Sequence, residues 1–481
     1  MNIPARALIG GLALLSTVNS SQAAAWSFEN VDTGANVGHA VSMTLDTAGY
    51  PHISYFRPSS TMGFSDLSYA TRTGSTWSKE TIEPNITNGT QGSATSIAVT
   101  ELGNPAVSFT RSGTFVRYTI RNGGSWLSPV TVSNTGGGFS SIVWQGTEAA
   151  PTPQVAFNDS AANDLRVAVM NAGAFTSQAL DTSVAAAAFC SLAQVGSYMG
   201  VAYIDGSKLG FWQSLNAGMN WGEYSSNPFA PFSNIQASVC ALALAPTRNN
   251  TFEPAAISAH ILYFDGTTRR YNYVTNDTDT GVWATPALVL QCGTTNTTQT
   301  GCSIAVDAAG VIHVALLDNS EVRLAYAKRA SGGWSSAEYI DGANLGGAFC
   351  TIKVNAQGQP SIAYSTLAFN SGSSTYEVDG VRFAQLASAA PVAPLSFAIS
   401  GKKKITTSKS KVTLKGTCST SATAIQWRLG KGKFRSQAVA GTSWKVKVKK
   451  LQPGQNKIEL KAVSATGATT ARQKVKVLVT D

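Results

Sequence analysis

Charge is scarce in this chain, and histidine scarcer still. Of 481 residues, 13% are Asp, Glu, Lys or Arg and four are His. The six cysteines include no Cys-x-x-Cys pair and no accompanying His cluster, so no metal is expected. His52, His260 and His313 read as lying on or beside inner strands at scattered registers, as core or channel-lining imidazoles. Beyond the N-terminus no stretch approaches the about 20 apolar residues of a spanning helix, so no transmembrane segment is expected. Spacings for a serine triad, a phosphate loop or a dinucleotide fingerprint are missing as well, so no cofactor is expected. Disorder is excluded from the other side: 43% of residues are hydrophobic and they alternate with polar ones. With 44 Gly and abundant Ser and Thr, the composition is that of an all-β protein with many turns.

The N-terminus reads as a secretory signal, residues 1–25. Arg6 opens it, Ala7 to Val18 form its apolar stretch, and Ser21-Gln22-Ala23-Ala24-Ala25 offers small residues for cleavage. The expected location is therefore secreted or cell envelope. Cysteines fit such an oxidising compartment. Cys190, Cys302 and Cys350 share one repeat position, with Cys240 near it. Cys292 and Cys302 flank a polar loop, 293–301, that a disulfide would close; buried free thiols are the other arrangement, and six thiols allow 15 pairings.

What is present is a repeat. An aromatic opening a strand returns at Trp26, Trp77, Trp126, Phe175, Trp221, Trp283 and Trp334, with spacings of 51, 49, 49, 46, 62 and 51. Between these markers lie paired apolar runs, beginning near Ser42, Ser96, Ser141, Ser191, Ser238, Ser303 and Thr351. Such a period with four strand-like segments predicts a seven-bladed β-propeller over 26–386. After Trp334 no further Trp strand follows Gly380-Val381-Arg382-Phe383-Ala384, so Trp26-Ser27-Phe28 is expected to complete the last blade. That removes an exposed edge. The Trp series reads as packing between blades rather than a sugar-stacking ladder.

Composition changes after Ala389-Ala390-Pro391-Val392-Ala393-Pro394, in a Pro/Ala linker spanning 387–396. Residues 401–481 hold 19 Lys or Arg against Glu459 and Asp481, a formal +17, while the rest of the chain carries 17 basic and 24 acidic residues. Lys445-Val446-Lys447-Val448-Lys449 and Lys474-Val475-Lys476-Val477 alternate with a period of two. Short strands with Gly/Pro turns predict an Ig-like β-sandwich over 397–481. Lys402, Lys403, Lys404, Lys445, Lys447, Lys449, Lys474 and Lys476 are candidate contacts to an anionic surface. Export disfavours nucleic acid as the partner and favours acidic polysaccharide or cell-surface polymer.

Pro51-His52-Ile53-Ser54-Tyr55-Phe56 carries a phrase of secreted bacterial repeat proteins, and most of 26–386 resembles the sialidase-like propeller group. Ser214-Leu215-Asn216-Ala217-Gly218-Met219-Asn220-Trp221 resembles the Asp-box hairpin of that group, with Asn in place of the usual Asp; the box stabilises the fold and says little about catalysis. Likewise, 451–463 resembles the penultimate hairpin of bacterial Ig-like modules. Sialidase activity, as the resemblance implies it, needs an arginine cluster for the substrate carboxylate, a Tyr–Glu nucleophile pair and an acid/base Asp. Phe56-Arg57-Pro58 matches the arginine motif only in part, which leaves Arg57 as a first member. Arg117, Arg166 and Arg323 read as occupying equivalent repeat positions, which argues for a structural face. Asp159, Asp205, Asp265 and Asp318 follow the second inner strands, either as turn residues or as a ring of carboxylates for a cation or polar ligand. The catalytic set is incomplete. The expectation is therefore a non-catalytic binding protein for a carbohydrate or protein ligand, the alternative a sialidase-like hydrolase or polysaccharide lyase acting at the channel.

Overall fold

The structure of the protein is a computed structural model. It describes residues 25–480 apart from 75, 88–93, 112–114, 183–185, 206–207, 224–236, 247–256, 277–281, 295–296, 298–300, 332, 343, 388–394, 420–421, 440 and 465–468. The signal segment and most of the expanded turn after Ala245 lie outside the described residues. The described chain is all-β, and no helix in it is long and apolar enough to cross a membrane. It divides into two compact units, one of residues 25–387 and one containing the C-terminal segment from 388.

In the first unit, seven sheets of four or five antiparallel strands succeed one another, with a small hairpin beside the third. The first sheet runs His39–Leu45, Pro51–Pro58, Phe64–Thr73, Thr76–Thr87. The other innermost strands are Thr95–Val99, Gly136–Val143, Ala186–Val195, Ala237–Pro246, Cys302–Val306 and Gly346–Val354. Each packs against the next, and the last packs against His39–Leu45, so the series closes on itself. In the seventh sheet the outermost strand is Trp26–Thr33, from the other end of the unit. It pairs antiparallel with Thr375–Leu386, from Trp26 opposite Leu386 to Thr33 opposite Gly380. The join is tight: Gly38 sits at φ 102°, and a Cβ there would stand 2.7 Å from the Gly380 carbonyl.

Packing between sheets explains the repeat's marker residues. Trp26, Trp77, Trp126 and Trp334 stand edge-on to Tyr326, Phe383, Tyr69 and Tyr273, with ring centroids 5.0, 5.4, 5.3 and 5.3 Å apart. Phe175 does the same to Tyr118, and Trp283 to Phe211. Each contact joins the outer segment of one sheet to the third strand of the preceding sheet, so the aromatic series is inter-blade packing.

The C-terminal unit is two sheets around one core. Phe397–Ser400, Lys411–Cys418 and Ser443–Lys449 form one; Lys404–Thr407, Gln473–Val479, Gly454–Ser464, Ala422–Leu429 and Arg435–Ala438 form the other. Leu414, Trp444, Val446 and Val448 from the first meet Ile425, Ile458, Leu460, Val475 and Val477 from the second. The valines of the two alternating runs are buried and the lysines between them exposed, as a period of two dictates.

Candidate functional site

The innermost strands line a central cavity of about 230 Å³. Its wall is held by hydroxyls at one repeat position. Ser42 Oγ accepts the amide of Ile97 in the next sheet at 3.3 Å, Ser96 that of Ile142 at 3.1 Å, Ser141 that of Leu192 at 3.0 Å, Ser191 that of Leu242 at 3.1 Å and Ser303 that of Ile352 at 3.0 Å. Thr351 closes the circuit by donating to the Val41 carbonyl at 3.3 Å. Thus the run-opening serines are clasps between sheets. In the fifth sheet Ala241, not Ser238, takes this place, because it stands opposite Leu262 as Ser191 stands opposite Ala202. Cys240 therefore holds the same position as Cys190, Cys302 and Cys350, one residue before the clasp.

All six cysteines are free and buried. The disulfide expected between Cys292 and Cys302 is not formed. Cys302 belongs to the channel strand, with its thiol buried near those of Cys350 and Cys240, while Cys292 lies against Asp318 and Asn319. Burial pushes the Cys190 and Cys292 thiols up to about 12, so neither is a reactive thiolate at neutral pH.

The structure separates the residues singled out from the sequence. Asp159, Asp265 and Asp318 end second strands, opposite or near the first residues of the inner strands, and are buried there. Asp159 accepts the amides of Ala161 and Ala162 and the Thr135 hydroxyl; Asp265 accepts from Thr267 and Thr268. Asp318 takes the Ser320 and Glu321 amides and the Tyr339 phenol at 2.7 Å. These bonds are those of turn-capping carboxylates. Asp205 occupies the corresponding place, opposite Ala186, but its side chain lies outside the described residues. Asn216 caps its own hairpin, accepting the Asn220 amide at 2.9 Å, which is the work of an Asp-box turn.

Arg57 pairs with Asp32 at 3.2 Å, and Asp32 also accepts the Tyr55 phenol at 2.9 Å and Lys79 at 2.7 Å. Asp341 likewise accepts Tyr364 and, at 2.7 Å, Arg382, and Asp181 accepts Tyr203 at 2.5 Å. Each Tyr–Asp tie runs from the outer segment of one sheet to the second strand of the next. Burial, with the adjacent Asp, drives the phenols of Tyr55 and Tyr364 well above their usual value. A tyrosine held this way stays protonated and is a poor nucleophile. Among the described residues no three arginines meet at such a pair. Arg117 and Arg166 stand opposite Phe109 and Phe157, and the position is repeated by Arg382 opposite Tyr364; Arg323 instead faces Asp318, at the start of its strand, and is not equivalent.

The histidines lie at one register, not at scattered ones. His52, His260 and His313 face Thr44, Ala243 and Ala305 across the inner pair. Each ring Nδ1 meets a tyrosine phenol, of Tyr69, Tyr273 and Tyr326, at 2.6, 2.7 and 2.8 Å. The other nitrogen of His52 and His313 approaches Asp46 and Asp307 at 3.7 and 3.5 Å. Burial lowers all three imidazoles, His260 to about 4. Among the described residues no group of His, Cys, Asp or Glu could hold a metal ion.

Sequence reasoning missed Lys353. The structure puts it on the channel wall in the inner strand Gly346–Val354, without an ion pair among the described residues. The signal lay in the repeat: Thr351-Ile352-Lys353 aligns with Ser42-Met43-Thr44 and Ser303-Ile304-Ala305, so a lysine stands where other copies carry a small side chain.

No protein-family model matches the chain, and no curated protein matches it. Among solved structures it is similar to a Hadza microbial sialidase at 12% identity and TM-score 0.39, covering 60% of this chain and 65% of that one. It is similar to a leech intramolecular trans-sialidase at 11% identity and TM-score 0.40, covering 75% and 70%. The extracellular domain of a putative one-component system from B. thetaiotaomicron matches at 9% identity and TM-score 0.37, covering 94% of this chain and 59% of that one. The chain thus spans less than two thirds of the first and third of these proteins, and at such identities nothing about activity passes from them to it.

Proposed function

We propose that this chain is an exported, non-catalytic binding protein. Its propeller presents a face to a carbohydrate or protein ligand, and its C-terminal sandwich, of Ig-like type, attaches to an anionic cell surface or polysaccharide. The observation that carries the reading is the register of the lysines. Lys411 stands opposite Lys449 and Lys415 opposite Lys445 on one sheet; on the other, Lys476 lies between Lys404 and Lys457. Like charges directly opposite one another are destabilising in a sheet, and an anionic polymer relieves them. Glu459 answers Lys457 at 3.1 Å, and its carboxylate is otherwise taken by Arg428 at 2.7 Å and Arg472 at 3.9 Å, which leaves Lys404, Lys411, Lys415, Lys445, Lys449 and Lys476 without an ion pair among the described residues.

On the propeller, support comes from the Tyr–Asp pairs, which are committed to holding sheets together. The experiment is a glycan array on the full chain beside a panel of chromogenic glycosides. Binding without turnover is the expected result. Turnover lost on substituting a channel residue would overturn the reading in favour of a glycan-active enzyme.

A further inference from the structure

The central channel has two unlike ends. Where the inner strands begin, Phe139, Phe189 and Phe349 line the channel. At the other end lies a cavity of about 370 Å³ bordered by Thr44, Trp144, Gln194, Leu244 and Lys353. Six sheets supply Thr44, Ala98, Val143, Ala193, Ala243 and Ala305 at the position where the seventh supplies Lys353. The lysine is therefore an isolated cation on a wall of small side chains, exposed to the water of the channel. The nearby acids that the structure describes are engaged elsewhere. Glu101 accepts the Trp144 indole at 3.0 Å and the Glu148 amide at 2.7 Å; Asp46 and Asp307 cap turns and face histidines.

We infer that Lys353 is the anchor of a binding site for the carboxylate of an acidic sugar residue, at the channel end that Trp144 and Gln194 border. The inference rests on the proposed carbohydrate-binding role of the propeller and names the charge of its ligand. An ammonium without an ion pair, on a wall that is otherwise uncharged, is a point charge for an anion. The indole of Trp144 offers an apolar face, and the Gln194 amide oxygen, whose nitrogen donates to the Gly196 carbonyl at 2.9 Å, a polar contact, for the body of the ring. Clefts with uncharged walls also concentrate the field of a single charge.

The test is calorimetry of the full chain at low ionic strength with galacturonate, with galactose as the uncharged counterpart and acetate as the bare carboxylate. Galacturonate should bind at one site, about tenfold or more tighter than galactose. Acetate should compete weakly; acetate matching galacturonate would show that any small carboxylate suffices and would overturn the sugar assignment. Lys353→Ala installs the residue that Ala98, Ala193, Ala243 and Ala305 already place there, so the fold is retained and galacturonate binding should fall about tenfold or more. Lys353→Arg should keep it. A variant carrying Lys445→Gln, Lys447→Gln and Lys449→Gln should bind galacturonate unchanged, which separates this site from the basic sandwich. As a second readout, acylation of Lys353 by an amine reagent, located by mass spectrometry, should be slowed by galacturonate and not by galactose. Failure of wild type to bind galacturonate, or equal binding by Lys353→Ala, would overturn the site. A blank glycan array with galacturonate binding intact would instead sink the broader glycan-binding role and leave the site standing.

Discussion

Tyr55 donates its phenol to Asp32 at 2.9 Å, and that bond ties the first sheet of the propeller to a strand from the last. Lys79 and Arg57 complete the cluster, at 2.7 and 3.2 Å from the same carboxylate. Tyr55→Phe should cost about 1–2 kcal/mol, the net worth of one hydrogen bond to a charged group. Asp32→Ala should cost more, about 3 kcal/mol, because it leaves a buried phenol and two cations without their acceptor. Thermal and denaturant unfolding of the two variants checks the order.

The same carboxylate sets an acid limit. Burial pushes Asp32 up, but the bonds from Lys79 and Tyr55 and the charge of Arg57 outweigh it and hold Asp32 below its usual value; Ser320 and Tyr339 do the same for Asp318. A depressed carboxylate contributes stability above the unfolded value of about 3.9 and loses it as pH falls through the folded value. Stability should therefore drop steeply below about pH 4, and less steeply in Asp32→Asn. An identical acid limb in that variant would reject the assignment.

Histidines act in a higher window. Burial lowers His39 and His260 to about 4, so the folded protein keeps them neutral while the unfolded chain takes up protons below about 6.5. Acidification from about pH 6.5 to about pH 4 should lower Tm, and His260→Gln should flatten that slope. Calorimetric scans across the range measure it.

Trp126 joins sheets by two contacts, its ring edge-on to Tyr69 at 5.3 Å and its indole N–H donated to Glu80 at 3.1 Å. Trp126→Ala should lose about 2–3 kcal/mol, and Trp126→Phe less, since it keeps the ring contact alone. Near-ultraviolet circular dichroism with urea titration separates the two.

Thiol titration tests the free cysteines. All six are buried, so a thiol reagent should label almost none in the native protein and six in denaturant. Four in denaturant without reductant would mean that a disulfide exists after all.

The all-β class was legible because strand periodicity and turn residues are local signals. The role of the Trp series was legible too, since recurrence at one repeat position marks packing rather than a site. The histidines were misjudged: a loop of different length precedes His260, and sequence distance then hides a shared register with His52 and His313. Cys240 was displaced for a related reason, because Ser238 imitates the clasp serine that Ala241 replaces. Arg323 looked equivalent to Arg117 and Arg166 until pairing set it two residues apart from them.

By itself the sequence determined the periodic strands, the small-residue inner runs and the segregation of 19 basic residues into the last 81. Those follow from side-chain alternation and composition, which each segment carries on its own. Only the tertiary structure decided that Ser96 clasps Ile142, that Tyr55 answers Asp32, and that Lys353 stands isolated in the channel wall. A period of two says which face of a strand a residue occupies. What lies opposite that face comes from a strand about fifty residues away, and sheet closure alone brings it there.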